Sequence, residues 1–217
     1  MPKTTPFDNY PGEYDNWFVT NKFAFQSELN AIKKILPVRG RGIEIGVGSG
    51  IFAEPLRITE GIEPSRAMRE KAKQRNIKII DAVAENLPYS DKSIDFALMV
   101  TTICFVDDIY KSFNEANRIL TDTGRLILGF VDKNSPIGKK YLEHKDESIF
   151  YKDAVFYGTE DLNEILNNTG FEVENTFQTV FGEIDKIRKV QDVLEGYGQG
   201  SFIVIKAKKT FDYDRKN

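Results

Sequence analysis

The chain has 217 residues and a net charge of −3, with one cysteine, Cys104, and one histidine, His144. This length predicts a single domain over residues 1–217, and the slightly acidic balance argues against nucleic acid as the main partner. One cysteine excludes an internal disulfide and is typical of a cytoplasmic protein, and no cluster has the spacing of a zinc site.

Residues 1–36 predict an N-terminal helical cap. Within it, residues 1–10 are expected to form a loose arm that lacks the apolar segment of a secretory signal. Residues 14–19 are aromatic, and apolar side chains recur at helical spacing from Phe23 to Leu36, where Pro37 ends the pattern. The longest apolar runs are too short to cross a bilayer, so no membrane span is expected.

Strand-like and helix-like segments alternate between residues 41 and 131. The predicted strands are 41–45, 58–63, 77–82, 94–100 and 125–131. Helices are predicted after Gly50, from the N-cap Ser65 to Gln74, and over 109–120. Such alternation is typical of a doubly wound α/β fold, in which a mostly parallel sheet carries helices on both faces.

The pattern changes after residue 131. Residues 132–157 predict an insert rich in aromatic and charged residues, with one short helix at 137–145. Thr159 is predicted to cap a helix that Gly170 ends. Residues 171–180 and 202–208 then predict a closing pair of strands, and 211–217 a solvated tail.

A glycine-rich loop follows the first predicted strand. Glu44 precedes glycines at positions 46, 48 and 50. Glycine has no Cβ, so this loop can turn sharply and let a ligand approach its backbone. It lies where open α/β sheets bind ligands, and the acid ahead of it favours a ligand with positive charge over a diphosphate.

A second acid, Glu63, ends the second predicted strand, nineteen residues after Glu44. A carboxylate at this point can accept hydrogen bonds from two vicinal ribose hydroxyls. Pro64 follows it directly and is expected to make the turn rigid, whereas Ser65 is expected to cap the next helix.

These segments together resemble the class I S-adenosylmethionine-dependent methyltransferases, in particular the methyltransferase type 11 group. Four motifs over roughly residues 40–130 carry the resemblance: Glu44 to Gly50, Gly61 to Ser65, Ala84 to Pro88, and Asn117 to Leu120 leading to Gly124 to Leu128. The resemblance implies a Rossmann-like, seven-stranded, mostly parallel sheet with an antiparallel closing strand. It also implies S-adenosylmethionine as the cofactor.

The resemblance extends to individual residues. Ala84 and Glu85 match the segment on the adenine side of the cofactor, although many members carry glycine where Ala82 stands. Thr101 matches the segment that borders the methionine part and the transferred methyl. The predicted cofactor-binding residues are Glu44, Gly46, Gly48, Gly50, Glu63, Pro64, Ala84, Glu85 and Thr101.

Aromatic residues before the core and in the insert give the best indication of an acceptor pocket. In this fold those two segments commonly close over the cofactor, and aromatic walls exclude water and stabilise a cationic sulfonium or amine. The predicted acceptor-binding residues are Tyr14, Trp17, Phe18, Tyr141 and Tyr151.

No catalytic residue is assigned with certainty, because methyl transfer from an activated sulfonium needs no obligatory acid, nucleophile or metal. Tyr14, His144 and Asp132 are candidates for a general base if the acceptor must lose a proton. Cys104 lies beside apolar residues with no histidine near it in sequence, so buried packing is favoured over a nucleophile.

Two other functions remain open from sequence alone. A nicotinamide-dependent oxidoreductase would carry its third glycine one position later, in Gly-x-Gly-x-x-Gly. A non-catalytic regulator would keep the cofactor pocket but fill the acceptor cavity with side chains. The predicted partner is a small-molecule methyl acceptor; its identity, the choice of oxygen, nitrogen or carbon, and the oligomeric state are left open.

Overall fold

A computed structural model describes residues 3–210, so the predicted tail at 211–217 lies outside the described residues. Within this range one sheet holds eight strands, in the order β3-β2-β1-β4-β5-β8-β6-β7. The strands are β1 (Gly42–Ile45), β2 (Glu60–Ile62), β3 (Lys78–Ile80), β4 (Ile94–Val100), β5 (Leu120–Val131), β6 (Phe171–Thr179), β7 (Leu194–Glu195) and β8 (Phe202–Lys209).

The two sides of the sheet differ in strand direction. β1 is parallel to β2 and β4, β2 to β3, and β4 to β5. β8 is antiparallel to both β5 and β6, and β6 is antiparallel to β7. The predicted α/β fold with antiparallel closing strands is confirmed. The sheet has eight strands rather than the predicted seven. The additional strand, β7, has only two residues, which are too few to form a recognisable sequence pattern.

Helices cover both faces of this sheet. They are α1 (Thr5–Asn9), α2 (Pro11–Thr20), α3 (Lys22–Ile35), α4 (Ala53–Leu56), α5 (Arg66–Gln74), α6 (Ile109–Ile119), α7 (Pro136–Glu143) and α8 (Thr159–Asn168). No helix in this part of the chain is long and apolar enough to cross a membrane. The cytoplasmic location stays a prediction.

Alternate residues of β4 face opposite sides of the sheet, as the twofold period of a strand requires. Met99 is fully buried in a core that includes Phe113 of α6. Its neighbour Leu98 is fully buried in a second core, with Ile32 of α3. β4 is therefore apolar on both faces from Phe96 to Val100, which explains its hydrophobic run there and its position in the middle of the parallel strands.

The expectation of a loose arm over residues 1–10 is wrong for α1. This helix lies against the N-terminus of α5, where Asp8 Oδ1 accepts hydrogen bonds from Ser65 Oγ at 2.7 Å and from the Ala67 N–H at 3.2 Å. Ser65 caps α5 as predicted, because its hydroxyl accepts from the Met68 N–H at 3.3 Å. The contact that orders α1 joins residues far apart in sequence, so no local pattern indicates it.

The predicted N-cap of α8 is wrong by one residue. Gly158 is the N-cap, and its N–H donates to Asp161 Oδ2 at 2.7 Å. The hydroxyl of Thr159 donates instead to Asp132 Oδ2 at 2.6 Å, which ties the start of α8 to the end of β5. A tertiary partner has replaced the local capping bond that threonine ordinarily makes.

Candidate functional site

A cleft of about 710 Å³ lies at the carboxyl ends of β1, β2 and β4, where open α/β sheets bind ligands. We call it the loop cleft. Glu44 and Gly50, both predicted to bind the cofactor, lie outside its wall. The other predicted cofactor residues all line it: Gly46, Gly48, Glu63, Pro64, Ala84, Glu85 and Thr101.

The three loop glycines have positive φ angles of 74°, 57° and 84° in chain order. A Cβ on Gly50 would lie 2.6 Å from Ile77 Cδ1, so this glycine allows the loop to pack on the sheet edge. At Gly48 the Cβ would instead lie 3.3 Å from the Tyr14 hydroxyl, across the loop cleft. A side chain at Gly48 would therefore extend toward Tyr14 within the wall of the loop cleft.

Glu63 is buried at the end of β2 and touches the glycine loop. Its Oε2 accepts from the Gly48 N–H at 2.8 Å, and its Oε1 accepts from the Ser65 N–H at 2.8 Å. Burial raises the pKa of Glu63 to about 7, against the two N–H donors, which lower it. The carboxyl group is held in one orientation at the cleft wall, and its protonated and ionised forms are similarly populated near neutral pH.

Glu44 lies on β1 beneath the loop and is fully buried. Its Oε2 has no hydrogen-bond partner among the described residues. Burial, with a smaller contribution from the Glu63 carboxylate, raises the pKa of Glu44 well above its usual value. An unpartnered carboxyl oxygen at this depth is costly, and a cationic ligand group nearby would offset that cost.

The side chain of Glu85 joins two segments that lie beside the loop cleft. Glu85 Oε1 accepts from the N–H groups of Asp107 and Asp108, at 2.7 and 3.2 Å. The loop from Val83 to Asn86 is closed by an isolated bridge. Glu85 Oε1 is occupied by these bonds, and Ala84 and Glu85 both line the loop cleft.

Thr101 stands just after β4 with a φ of 51°. A β-branched residue in this left-handed region is strained, and such strain concentrates at ligand sites. Its N–H donates to the Gly129 carbonyl at 2.7 Å, and its carbonyl accepts from Cys104 Sγ at 3.2 Å. These bonds to the neighbouring strand and turn hold the strained backbone in place.

A second, larger space of about 1000 Å³ lies beside the loop cleft. We call it the aromatic cavity. The five residues predicted to bind the acceptor all line it: Tyr14, Trp17, Phe18, Tyr141 and Tyr151. It shares part of its wall with the loop cleft, namely Phe7, Tyr14, Thr101 and Phe105.

Comparisons with known proteins decide the family. A family model described as a methyltransferase domain matches residues 43–128. An uncharacterized protein of Methanocaldococcus jannaschii is 44% identical over 203 residues, which is 94% of this chain and 98% of the relative. A crystal structure of a SAM-dependent methyltransferase from Thermotoga maritima, described as a possible histamine N-methyltransferase, is 47% identical with a TM-score of 0.92; the match covers 95% of this chain and 99% of that one.

The chain belongs to the class I S-adenosylmethionine-dependent methyltransferases. S-adenosylmethionine is accordingly the cofactor of this methyltransferase family member. An uncharacterized protein of Mycobacterium tuberculosis is 32% identical over 177 residues, which is 80% of this chain and 62% of that protein. The family match ends at residue 128, before most of the segments that build the aromatic cavity.

Glu28 is the residue of the methyltransferase that sequence reasoning missed. It lies on the buried face of α3, between Ala24 and Ile32, and lines the aromatic cavity with only 5% of its surface exposed. Burial raises its pKa to about 8. The available signal was a single acid at a core position of an otherwise apolar helix face, where a charged residue is unusual.

The three candidate bases, His144, Asp132 and Tyr14, lie in different surroundings. His144 is half exposed, lies 3.6 Å from Glu147 Oε2, and lines an outer groove rather than the aromatic cavity. Asp132 is buried and fully occupied, since Thr159 and the Asn134 N–H donate to its two oxygens. Burial and the carboxylates of Glu44 and Glu63 raise the pKa of Tyr14 far above its usual value. Among these only Tyr14 reaches the site, and it holds its proton near neutral pH.

Cys104 is buried, as expected for a packing residue. Burial raises the pKa of its thiol to about 12, so the nucleophilic thiolate is scarce at neutral pH. Within residues 3–210 no group of three or more histidine, cysteine, aspartate or glutamate residues could hold a metal ion.

Proposed function

We propose that this protein transfers the methyl group of S-adenosylmethionine to a small-molecule acceptor that binds in the aromatic cavity. One observation carries the proposal: the loop cleft and the aromatic cavity meet at Tyr14, Thr101 and Phe105. Two ligands that occupied these spaces would contact each other beside the strained Thr101 backbone. A regulator with a filled acceptor cavity would lack the second space.

The residues of the loop cleft suit the parts of the cofactor. The Glu63 carboxylate would accept hydrogen bonds from the two ribose hydroxyls. Glu44 lies behind the cleft wall, and the ammonium of the methionine part would offset the cost of its unpartnered carboxyl oxygen. The backbone of Ala84 and Glu85 would contact the adenine ring.

The cofactor, when bound, supplies an activated methyl on a sulfonium centre. The chain supplies a positioned, apolar surrounding. Phe7 makes ring contacts with Tyr14, Phe105 and Phe150, and Phe150 also contacts Tyr14, at centroid distances from 5.0 to 6.2 Å. Such packing excludes water and fixes the acceptor in line with the methyl. Tyr14 keeps its hydroxyl proton and serves as a donor.

A nitrogen acceptor is favoured over oxygen or carbon. The Thermotoga maritima relative, at 47% identity over nearly the whole chain, is described as a possible histamine N-methyltransferase. The aromatic cavity agrees with an amine, because its rings can stabilise a cation.

Calorimetry with S-adenosylhomocysteine tests the cofactor part of the proposal. We expect binding by the wild-type protein and a loss of about tenfold or more in Glu63→Ala, since charged hydrogen bonds are removed. NADH serves as the competitor probe, and tight binding of NADH in place of S-adenosylhomocysteine would point to the oxidoreductase.

Release of S-adenosylhomocysteine from S-adenosylmethionine in the presence of small amines tests the transfer itself. Methylated product identified by mass spectrometry supports the proposal. Cofactor binding without turnover on any amine, oxygen or carbon acceptor would favour the regulator instead.

A further inference from the structure

The aromatic cavity contains one acidic group at depth, the carboxyl of Glu28. No described residue donates a hydrogen bond to it or forms an ion pair with it, and burial alone accounts for its raised pKa. A buried carboxyl without a partner is costly, and its environment normally supplies a donor. Here the carboxyl faces a space large enough for a ligand.

Apart from tyrosines, the ionisable side chains around that space are acidic. The described residues of the cavity wall include two carboxyl groups, Glu28 inside and the exposed Glu13 on α2, and no lysine, arginine or histidine. The other titratable groups that face it are Tyr14 from α2, Tyr141 from α7, and Tyr151. Burial raises the pKa of all three phenols, so they are uncharged near neutral pH.

Aromatic rings surround the same space. Tyr141 and Tyr151 stack with centroids 4.9 Å apart, and Trp17 contacts Phe18 edge to face at 5.0 Å. Ring faces attract cations, most strongly where water is excluded. A carboxyl group within an aromatic wall is therefore suited to an organic ammonium and unsuited to an anion.

Position separates Glu28 from the reacting atoms. Glu28 lines the aromatic cavity but not the loop cleft, whereas Tyr14 and Thr101 line both. A cationic group held at Glu28 would consequently leave another part of the same molecule at the junction. An ammonium nitrogen has no free electron pair, so the atom that is methylated must be a different one.

We propose, on the basis of the proposed function, that the acceptor is a small organic amine with two distinct ends. Glu28 binds its ammonium group, and an uncharged nitrogen at the other end reaches Tyr14 and Thr101 and accepts the methyl. That nitrogen donates its lone pair to the methyl carbon; the carbon–nitrogen bond forms as the carbon–sulfur bond breaks, and the sulfur keeps the bonding pair. The methylated group is then cationic and releases a proton to water, from the same nitrogen in an alkylamine and from the second ring nitrogen in an imidazole.

The raised pKa of Glu28 adds a measurable signature. With a pKa of about 8, Glu28 is largely protonated at neutral pH in the free protein. An ammonium favours the carboxylate, so binding at neutral pH expels this proton. Calorimetry in phosphate and in Tris, which differ in heat of ionisation, measures the number of protons released.

The experiment uses the full chain saturated with S-adenosylhomocysteine. The probes are histamine, its analogue 4-ethylimidazole, in which hydrogen replaces the amine, and imidazolepropionate, in which a carboxylate replaces it. A matched pyrazole series, 2-(1H-pyrazol-4-yl)ethylamine, 4-ethylpyrazole and 3-(1H-pyrazol-4-yl)propionate, extends the set with a second heteroaromatic nitrogen. We expect at least one amine to bind with proton release, and its uncharged and anionic analogues to bind about tenfold or more weakly.

Glu28→Gln is the decisive variant, with Glu143→Gln on the exposed face of α7 as the matched control. We expect Glu28→Gln to lose about tenfold or more in amine affinity together with the proton release. Glu28→Asp should recover part of both, and Glu143→Gln should behave as wild type. Unchanged affinity for S-adenosylhomocysteine in Glu28→Gln shows that the variant is folded.

Three outcomes would overturn the inference: no amine binds at millimolar concentration, the uncharged or anionic analogues bind as well as the amines, or Glu28→Gln binds amines as wild type does. A failure of the proposed function is distinct, since the wild-type protein would then either fail to bind S-adenosylhomocysteine or bind it without transferring a methyl group to any acceptor.

Discussion

The hydroxyl of Tyr14 lies 3.3 Å from the point that a Cβ on Gly48 would occupy. Tyr14 belongs to α2, which covers the acceptor side, and Gly48 belongs to the loop that follows β1. The two sides of the site therefore touch at one point, and any atom added there narrows the loop cleft. Because of this close approach, a single methyl group added at position 48 is enough to narrow the loop cleft.

Gly48→Ala should weaken the binding of S-adenosylhomocysteine by about tenfold, because its new methyl enters the loop cleft and its backbone is strained at a φ of 57°. Gly182→Ala is the control: its φ is 82°, and no atom lies within 4 Å of the added Cβ. Both changes should cost about 1 kcal/mol of unfolding free energy. Equal affinities in the two variants, measured by calorimetry, would contradict the assignment of Gly48 to the ligand side.

Binding of S-adenosylhomocysteine should strengthen as the pH rises. Burial raises the pKa of Glu63 to about 7, and hydroxyl donors of the ligand require the carboxylate. Affinity should therefore increase about tenfold between about pH 6 and pH 8 and level off above. Glu63→Gln should bind weakly with no such slope; a slope that persists in this variant would assign the titration to another group.

Glu28→Gln should stabilise the free protein at high pH. The pKa of Glu28 is about 8 in the folded state, against an ordinary value of 4.5. Below about pH 4 the carboxyl is protonated in both the folded and the unfolded state, so its ionisation does not change the free energy of unfolding there. As the pH rises from 4.5 to 8, the unfolded chain ionises first and the wild type loses stability. The variant should exceed the wild type by a few kcal/mol, at most about 5, in urea unfolding at high pH. Equal stabilities throughout would show that Glu28 is not desolvated.

Asp132→Asn should lower stability rather than remove a base. Its carboxylate accepts from Thr159 Oγ1 and from the N–H groups of Thr159 and Asn134. An amide cannot accept hydrogen bonds at both ends, so the free energy of unfolding should fall by about 1–3 kcal/mol.

His144→Ala, at a half-exposed position, should leave stability nearly unchanged and the methyl-transfer rate within about twofold of the wild-type rate. A large loss of rate in His144→Ala, with cofactor binding intact, would restore histidine as a catalytic candidate.

Asp8→Ala should release α1 from α5. Two hydrogen bonds to Asp8 hold this helix where its Phe7, and Lys3 and Thr4 ahead of it, line the loop cleft. We expect faster amide exchange over residues 5–9 and about threefold to tenfold weaker binding of S-adenosylhomocysteine. Asp122→Ala, which removes an exposed ion pair with Lys92, is the control and should change neither.

Sequence reasoning succeeded where the signal was local. The predicted bounds of β4 match the structure, because five consecutive apolar residues, Phe96 to Val100, mark most of its length. The glycine loop and Glu63 lie together because parallel strands bring their carboxyl ends to one edge of the sheet. The aromatic residues 14, 17, 18, 141 and 151 gather in one cavity, while their contact with an acceptor stays a prediction.

Sequence reasoning failed where a side chain takes a distant partner. Thr159 bonds Asp132 instead of capping its own helix, and Asp8 orders a helix by a contact almost sixty residues away. Glu28 was overlooked because its helix pattern is explained by its apolar neighbours alone. Asp132 and His144 were plausible bases by type, and only tertiary contacts remove them from the site.

Strand β8 lies between β5 and β6 and pairs with both along almost its whole length. During synthesis, every other strand of the sheet leaves the ribosome before residues 202–209 do. Until then β5 and β6 each present an unpaired edge to other chains, a hazard that cells meet with chaperones. Phe202, the first residue of β8, also lines the aromatic cavity. The strands that carry the loop cleft therefore emerge earlier, whereas the part of the aromatic cavity wall formed by Phe202 is complete only after β8 has paired with β5 and β6.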